Sequence, residues 1–535
     1  MTQDWPRPSE EEIRSYREQG FREDRTLSRL LRERAAARPG ATALVSRSGR
    51  LTYAELDARV DRLALGLAGL PIHPGERVLV RLPNREEYVL TLFALLRIGA
   101  VPVLALPSLG PAEVESLART ADACALVVAD RHGRSDPRAE AARMAERLPG
   151  LRHVLVAGDP GDVPARSLES LLAPRAAPLD EAADPEDLAL LLLSGGTTGT
   201  PKLIPRTHAD YGYNARASAE ACGVDSGTVY LAVLPAAHNF TMVSPGIVGV
   251  LGAGGTVVLC PDPSPTTAFG LIEREGVTLT SLVPALVPSW LDEARRTRAD
   301  LSSLRVLQVG GSRLDDATAR RIGPELGCHL QQVFGMAEGL NNYTPLDAPD
   351  DVVCGTQGRP LSPADEVLVV DEDGATVPDG APGELLTRGP YTLRGYYRAR
   401  ELDALRFTPD GFYRTGDLVT RTPAGDLVVV GRVKDQVNRA GEKIAAVEVE
   451  EHLLAVPGVR AAAVVGLPDP HLGERSVAFL VTEGPVPSRE EVRAAMLGRG
   501  AAPFKVPDEV RGIGALPLTG VGKVDKKRLR AHGGA

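Results

Sequence analysis

The chain has 535 residues, 43% of them hydrophobic and 24% charged, with a formal net charge of −9. That length exceeds one ordinary compact domain, so two or more folding units with sizeable cores are expected. The negative balance argues against partners recruited by attraction to nucleic acid or to an anionic membrane surface. It leaves room for a local basic site that takes a nucleotide.

Met1 to Gly20 has no apolar core of the kind a secretory signal needs. From Thr52 to Leu70 apolar residues recur at helical spacing (Leu56, Val60, Leu63, Leu65), and Glu76 to Pro83 is a short strand-like run. Tyr88 to Pro107, the longest apolar stretch, is broken by Arg97 and Gly99 and ends in prolines, so it reads as a helix entering a buried strand and not as a membrane span. The same rhythm continues at Ala125–Ala129, at His153–Gly158, at Leu188–Ser194 and at Thr256–Cys260. Short apolar runs between amphipathic helices indicate layered α/β structure with buried strands.

From Glu366 onward, short strands separated by DG and PDG turns predict a smaller β-rich unit. Beyond Gly431–Lys443 the pattern predicts a helix (Val447–Leu454), strands (Val459–Leu467 and Ser476–Thr482), a helix (Arg489–Leu497) and a lysine-rich tail. A boundary is placed near Lys434. It divides a large N-terminal domain, 1–433, of layered α/β subdomains plus the β-rich subdomain, from a small mobile C-terminal α+β domain, 434–535. Cys124, Cys222, Cys260, Cys328 and Cys354 show no metal-ligand or disulfide spacing, and suggest buried thiols in a reducing, cytoplasmic setting.

The most informative segment is Ser194-Gly195-Gly196-Thr197-Thr198-Gly199-Thr200-Pro201-Lys202, directly behind the run Leu188–Leu193. Its glycines, threonines and serine make a low-bulk loop rich in N–H and hydroxyl donors, able to close around phosphate oxygens, and Lys202 adds a positive charge. The Walker A spacing is absent, so a P-loop kinase or GTPase is excluded; a flexible linker would seldom follow a buried strand directly.

This loop resembles the phosphate loop of the adenylate-forming superfamily, which includes acyl-CoA synthetases, peptide-synthetase adenylation domains and luciferases. Further motifs follow in that superfamily's order: Leu51–Leu56, Phe334-Gly335-Met336-Ala337-Glu338, Tyr413–Asp417, Gly431–Asp435 and Gly520–Lys523. The likeness spans residues 25 to 530.

It implies that ATP and a carboxylic acid form an acyl-adenylate with release of pyrophosphate. Two anions must approach, so charge neutralisation is the main demand on the protein. By resemblance the catalytic set is Lys523, Glu338 and His238. Lys523 would bridge the carboxylate and the α-phosphate, its neighbours Lys526 and Lys527 being read as solvated tail lysines. Glu338 would help hold Mg²⁺. The nucleotide would be bound by Ser194 to Gly199, Lys202, Gly310, Gly311 and Val333 to Ala337, with Phe334 against adenine. Asp417 would accept the ribose hydroxyls, Arg432 would contact ribose or phosphate, and Lys434 would be the hinge for a swing of the small domain. The turn Ala440–Lys443 would then face a pantetheine arm.

The acyl pocket narrows the acid. Ala237-His238-Asn239-Phe240 followed by Ser244-Pro245-Gly246 resembles the branch that activates 2,3-dihydroxybenzoate and salicylate, as do LIPRTHADY, QVFGMAEGL, TQGRPLSP, LLTRGPYTLRGYY and DGFYRTGD. Asn239 can satisfy an ortho hydroxyl or amino group. Val333 and Ser244 keep that branch's pattern, whereas Ser312 stands for a usual alanine and Asn341 for a usual valine. Two readings stay open. Either both residues read a further polar substituent or a ring nitrogen (3-hydroxyanthranilate or 3-hydroxypicolinate beside 2,3-dihydroxybenzoate), or both face water or backbone and the acid is the ordinary dihydroxybenzoate.

The implied partners are the aromatic acid and a phosphopantetheinylated aryl carrier protein supplied in trans, with no nucleic acid and no membrane. An aryl-CoA ligase using free coenzyme A is the alternative, and a non-catalytic aryl-acid-binding protein is a third reading. The residues set no oligomeric state.

Overall fold

The protein is seen here in a computed structural model that describes residues 4–133, 135–177, 179, 182–194, 202–439, 442–469, 471–499, 501–519 and 522–533. Two compact units are present: Met1–Val353 with Pro360–Asp365 and Arg388–Tyr413, and Cys354–Arg359 with Glu366–Thr387 and Arg414–Ala535.

In the first unit, one sheet runs in spatial order Arg166–Ser167, His153–Ala157, Ala123–Ala129, Arg77–Arg81, Val101–Leu104, Leu188–Leu193 and Leu203–Thr207. All neighbours are parallel except the last pair, a hairpin. The central strands are buried along their length, as expected for a parallel sheet covered by helices. A second sheet places Asn341–Tyr343, His329–Gly335, Val306–Gly310, Leu279–Leu282, Val229–Ala232, Thr256–Leu259, Thr42–Ser46 and Gly49–Thr52 side by side. Its inner strands are parallel, so their carboxyl ends emerge on one edge, where ligands of α/β sheets bind.

The sequence-predicted helix beginning at Thr52 forms over Tyr53–Ala68, started by a reciprocal Thr52–Glu55 capping box. The helix His208–Ala221 starts the same way, with Thr207 and Asp210 as partners. The run Tyr88 to Pro107 forms a helix (Glu86–Arg97) and a buried strand (Val101–Leu104). Among the described residues no helix is long and apolar enough to cross a membrane.

Arg97 is wholly buried and ties three helices together. Its Nη1 and Nη2 bond Asp61 and Asp57 at 2.8 and 2.7 Å, and its Nε donates to Ser28 Oγ at 3.1 Å.

The second unit contains the expected β-rich sheet, in the order Glu366–Val370, Gly383–Arg388, Tyr413–Arg421 and Leu427–Arg432. The DG and PDG turns place Gly374 and Gly380 at φ of +84°, where a side chain would be strained. A further sheet joins Glu442–Ala445, Gln436–Arg439, Gly473–Thr482 and Val459–Asp469, with Glu509–Gly512 parallel to Gly473–Thr482. The helices Ala446–Leu454 and Arg489–Gly498 pack on it through Val449, Leu453, Val492 and Met496.

The lysine-rich tail differs from the expectation. Lys526–Gly533 is a helix whose Leu529 is buried against Val465 and Phe479. Lys526 is therefore not a solvated lysine: its Nζ pairs with Glu450 at 2.7 Å and its side chain is 14% exposed. All five cysteines are buried, and none of them forms a disulfide.

Replacing Arg97 with alanine leaves Asp57 of this network without a cation and Asp61 with Arg32 alone. A loss of about 3–5 kcal/mol is expected, read as a lowered urea midpoint for the first unit, with Lys526→Ala as a control that leaves that transition in place.

Candidate active site

The hairpin after Leu188–Leu193 carries the candidate phosphate loop. Residues 195–201, including Gly195, Gly196, Thr197, Thr198 and Gly199, lie outside the described residues, but both ends of the loop are in place. The Ser194 N–H donates to the Lys202 carbonyl at 3.0 Å, and Ser194 Oγ is buried with no hydrogen-bond partner among the described residues. Lys202 Nζ lies 5.3 Å from the centroid of the Tyr396 ring, and the Tyr396 hydroxyl donates to Glu338 Oε1 at 3.0 Å. Tyr396 and Tyr413 hydroxyls are 2.9 Å apart. Burial lowers the Lys202 pKa, helped by the charge of Arg406 and opposed by Glu338. Lys202 and Glu338, far apart in sequence, thus share one cluster through Tyr396, which stands in the family-like segment LLTRGPYTLRGYY but was given no role there.

Arg206, four residues past Lys202, is buried and reaches two other elements. Its Nε bonds Asp210 at 3.0 Å, its Nη1 donates to the Ala337 carbonyl at 3.2 Å, and its guanidinium lies 5.4 Å from the Tyr211 ring centroid. The phosphate hairpin, the helix His208–Ala221 and the Phe334–Glu338 segment are therefore braced on one side chain.

The carboxyl ends of the parallel strands bring the other candidates together. Gly310 and Val333 are register partners on neighbouring strands. A Cβ on Gly310 would lie 2.6 Å from the Val333 carbonyl oxygen and 3.1 Å from the Phe240 ring, so only glycine admits this packing. Gly311 follows at φ +94°. Phe240 and Val333 join Leu234, Val283, Cys222 and Tyr343 in an apolar wall. Phe334, Gly335, Met336, Ala337 and Glu338 are half-buried along the adjoining edge.

His238 caps the short helix Asn239–Val243, its Nδ1 accepting the Phe240 N–H at 3.2 Å, which leaves the ring proton for Nε2. Asn239 Oδ1 accepts a hydrogen bond from the Tyr211 hydroxyl at 3.0 Å. Asn341 is 2% exposed, and its Nδ2 donates to Asn214 Oδ1 at 2.8 Å and reaches Ser244 Oγ at 3.5 Å. Ser312, by contrast, is exposed. The structure therefore places Asn239, Phe240, Ser244, Val333 and Asn341 around one region and leaves Ser312 on the surface. Tyr211, the last residue of the family-like segment LIPRTHADY, and Asn214, one helical turn further on, had no other signal in the sequence.

A buried carboxyl backs this region. Tyr391 accepts the Asn341 N–H at 3.2 Å and donates to Asp365 Oδ2 at 2.8 Å, while Asp365 Oδ1 is buried without a partner among the described residues. Burial pushes the Asp365 pKa up to about 7, against the pull of the Tyr391 and Ser362 hydrogen bonds.

The second unit holds the remaining candidates. Asp417 and Arg432 are cross-strand partners, with Arg432 Nε 2.7 Å from Asp417 Oδ1. Asp417 is 4% exposed and its pKa is raised by burial; the charges of Arg432, Lys523 and Lys434 oppose that shift. Lys434 is exposed. Lys523 sits on a turn closed by the Thr519 N–H to the Lys523 carbonyl at 2.7 Å. Gly520 and Val521 lie outside the described residues, as do Ala440 and Gly441.

A divalent cation such as Mg²⁺ suits Glu338. Only Oε1 is engaged by Tyr396, no hydrogen bond to Oε2 occurs among the described residues, and Mg²⁺ is commonly held by one carboxylate plus substrate phosphates and water.

Residues 31–397 match the family described as AMP-binding enzyme, and residues 448–523 match the AMP-binding enzyme C-terminal domain. The chain is 50% identical to the 2,3-dihydroxybenzoate-AMP ligase of Bacillus subtilis over 98% of its length and 96% of that protein. It is 48% identical to the salicyl-AMP ligase / salicyl-S-ArCP synthetase of Mycobacterium tuberculosis, over 96% of this chain and 92% of that one. The apo structure of MbtA from Mycobacterium smegmatis superposes with a TM-score of 0.77 at 48% identity, covering 99% of this chain and 98% of that one. The chain belongs to the AMP-binding enzyme family, the adenylate-forming superfamily whose motifs it carries, and to its aryl acid–AMP ligase branch.

Because folded Asp365 holds its proton up to about pH 7, against an ordinary value of 3.8, the folded state binds more protons than the unfolded chain between those limits. Stability at this position is therefore highest in acid and falls as the pH rises through that window. Asp365→Asn is expected to raise the thermal midpoint relative to wild type, with a gap that widens from about pH 5 to about pH 8; differential scanning fluorimetry across that range checks it.

Proposed function

We propose that this protein activates a substituted aromatic carboxylic acid of the 2-hydroxy- or 2-aminobenzoate type with ATP, forming the aryl-adenylate and releasing pyrophosphate. It then transfers the aryl group to the phosphopantetheine thiol of an aryl carrier protein. The observation that carries this reading is the placement of Asn239 and Phe240, beside Val333 and Gly310, at the carboxyl ends of parallel strands. An apolar wall with one amide suits a flat ring bearing one ortho polar group and offers no carboxylate for an α-ammonium.

In the reaction, a carboxylate oxygen of the acid attacks the α-phosphorus of ATP, and the bond to the pyrophosphate oxygen breaks. Lys202 and the Ser194 loop bind phosphate oxygens, and Glu338 would hold Mg²⁺, which would supply positive charge for the departing pyrophosphate. Asp417 receives the ribose hydroxyls. Burial at Asp417 disfavours the charged carboxylate and raises its pKa, and the Arg432, Lys523 and Lys434 cations oppose that shift. Lys523 neutralises charge gathering between the carboxylate and the α-phosphate. His238 orients the acyl segment by capping Asn239–Val243. Lys434 serves as the hinge between residues 1–433 and the mobile 434–535, and the enzyme works in the cytoplasm.

A panel of aryl acids in ATP–pyrophosphate exchange tests the substrate class, and exchange supported only by aliphatic or α-amino acids would overturn it. Lys523→Ala is expected to slow adenylation by about 100- to 1,000-fold while leaving transfer from supplied aryl-adenylate largely intact; equal loss of both half-reactions contradicts its assigned role. Release of carrier thioester in preference to coenzyme A thioester decides the acceptor, and the reverse preference makes the protein an aryl-CoA ligase.

A further inference from the structure

One helix, His208–Ala221, touches both asparagines of the acyl region. Tyr211 and Asn214 lie one turn apart on it, so both project from the same face. Each holds one amide by a single end. The buried Tyr211 hydroxyl donates to Asn239 Oδ1 at 3.0 Å, so the carbonyl end of Asn239 is committed to the protein. The Nδ2 of Asn239 has no hydrogen-bond partner among the described residues. Asn341 is held the opposite way. Its Nδ2 donates to Asn214 Oδ1 at 2.8 Å, and Asn214 Oδ1 also accepts from Ser218 Oγ at 3.2 Å. The Asn341 Oδ1 has no hydrogen-bond partner among the described residues and points over Gly335, where a Cβ would lie 2.0 Å from it. A glycine there leaves that carbonyl oxygen its space.

We propose that this helix sets the hydrogen-bond polarity of the acyl pocket: Tyr211 turns Asn239 so that it presents its NH₂, and Asn214 turns Asn341 so that it presents its carbonyl oxygen. The inference rests on the aryl-acid reading above and deepens it. A donor at Asn239 requires an acceptor at the ortho position of the acid. An ortho phenol meets that requirement, because its hydrogen turns to the neighbouring carboxylate and leaves an oxygen lone pair outward. A ring nitrogen meets it as well. An ortho amine does not, since one N–H turns to the carboxylate, the other points outward, and the nitrogen lone pair is drawn into the ring. Two donors then face each other and one stays unpaired. The acceptor at Asn341 favours a hydroxyl on the ring carbon next to the ortho group and disfavours its methyl ether. The preferred class is therefore a 2,3-dihydroxy aromatic acid or an acid with equivalent acceptor and donor, ahead of a 3-hydroxy-2-amino acid. Tyr211 and Asn214 are positioning residues, since they act through the two asparagines.

The test compares kcat/KM in ATP–pyrophosphate exchange for 2,3-dihydroxybenzoate, 3-hydroxyanthranilate and 2-hydroxy-3-methoxybenzoate, in wild type, Tyr211→Phe and Asn214→Leu. Wild type is expected to favour the dihydroxy acid over each of the other two by about tenfold or more. Tyr211→Phe frees the Asn239 amide to turn. It is expected to shrink the preference over 3-hydroxyanthranilate by about tenfold, chiefly through KM, with the methoxy ratio unchanged. Asn214→Leu is expected to do the converse. A purely structural effect lowers all three acids alike, so unchanged ratios in Tyr211→Phe overturn the inference, as does a wild-type preference for 3-hydroxyanthranilate. Should Asn214→Leu not fold, the Tyr211→Phe ratio and the wild-type methoxy comparison decide. Exchange with no aryl acid at all overturns the aryl-acid reading itself, whereas exchange with unchanged ratios overturns the inference alone.

Discussion

Arg206 is a buried cation whose partners belong to separate parts of the chain. Its guanidinium bonds Asp210 on the helix that follows it and the carbonyl of Ala337 beside Glu338, and it lies over Tyr211. A guanidinium can do this because its donors are fixed in a planar fork and its faces accept an aromatic ring, so one side chain sets several distances at once. The strand that leaves the phosphate loop, the helix that backs the acyl region and the segment carrying Glu338 are thereby held in one frame. Were that frame loose, Lys202 and Glu338 would lose the relation they now have through Tyr396. A bound nucleotide and a bound acid would then be held by elements free to drift, and reactions of this type lose rate steeply with small misplacement.

Within that frame the acyl region is built from opposed demands. Glycines at 310 and 335 keep side chains out of the way of Phe240 and Asn341. Phe240, Val333, Leu234 and Val283 form an apolar wall, while Asn239 and Asn341 are each tied to a neighbour by one end. Buried polar groups are tolerated only when paired, so a pocket amide with one end committed and one end open is selective by construction. Asp365, behind Tyr391, extends the buried polar network away from the ring and carries the cost of a poorly solvated carboxyl.

The second unit solves a different electrostatic problem. Asp417 is deeply buried, and an isolated carboxylate there would tend to take up a proton. Strand register sets Arg432 directly opposite, and the positive charges of Lys523 and Lys434 act in the same direction. Burial still wins, so the Asp417 pKa stays above its ordinary value, with the three cations limiting the shift.

Much of this was legible in the residues alone. The helix from Thr52, the buried strands, the change of texture at Glu366 and the elements after Lys434 follow from hydrophobic period and turn chemistry, which are local properties. The resemblance of the ordered motifs to the adenylate-forming superfamily likewise singled out Lys202, Glu338, Asn239, Asp417 and Lys523 as candidates. Tertiary structure decided what local pattern cannot encode. It separated Asn341, buried and hydrogen-bonded, from Ser312, exposed, though both read simply as polar substitutions. It turned Lys526 from a tail lysine into an ion-paired one, since Leu529 finds a core that only the folded sheet provides. It also brought in Tyr211, Asn214, Arg206 and Tyr396, whose partners lie up to about 190 residues away along the chain. The residues determined which chemical groups the protein possesses, and packing decided which ends of those groups remain for a ligand, because a hydrogen bond's direction is set by the partner across it.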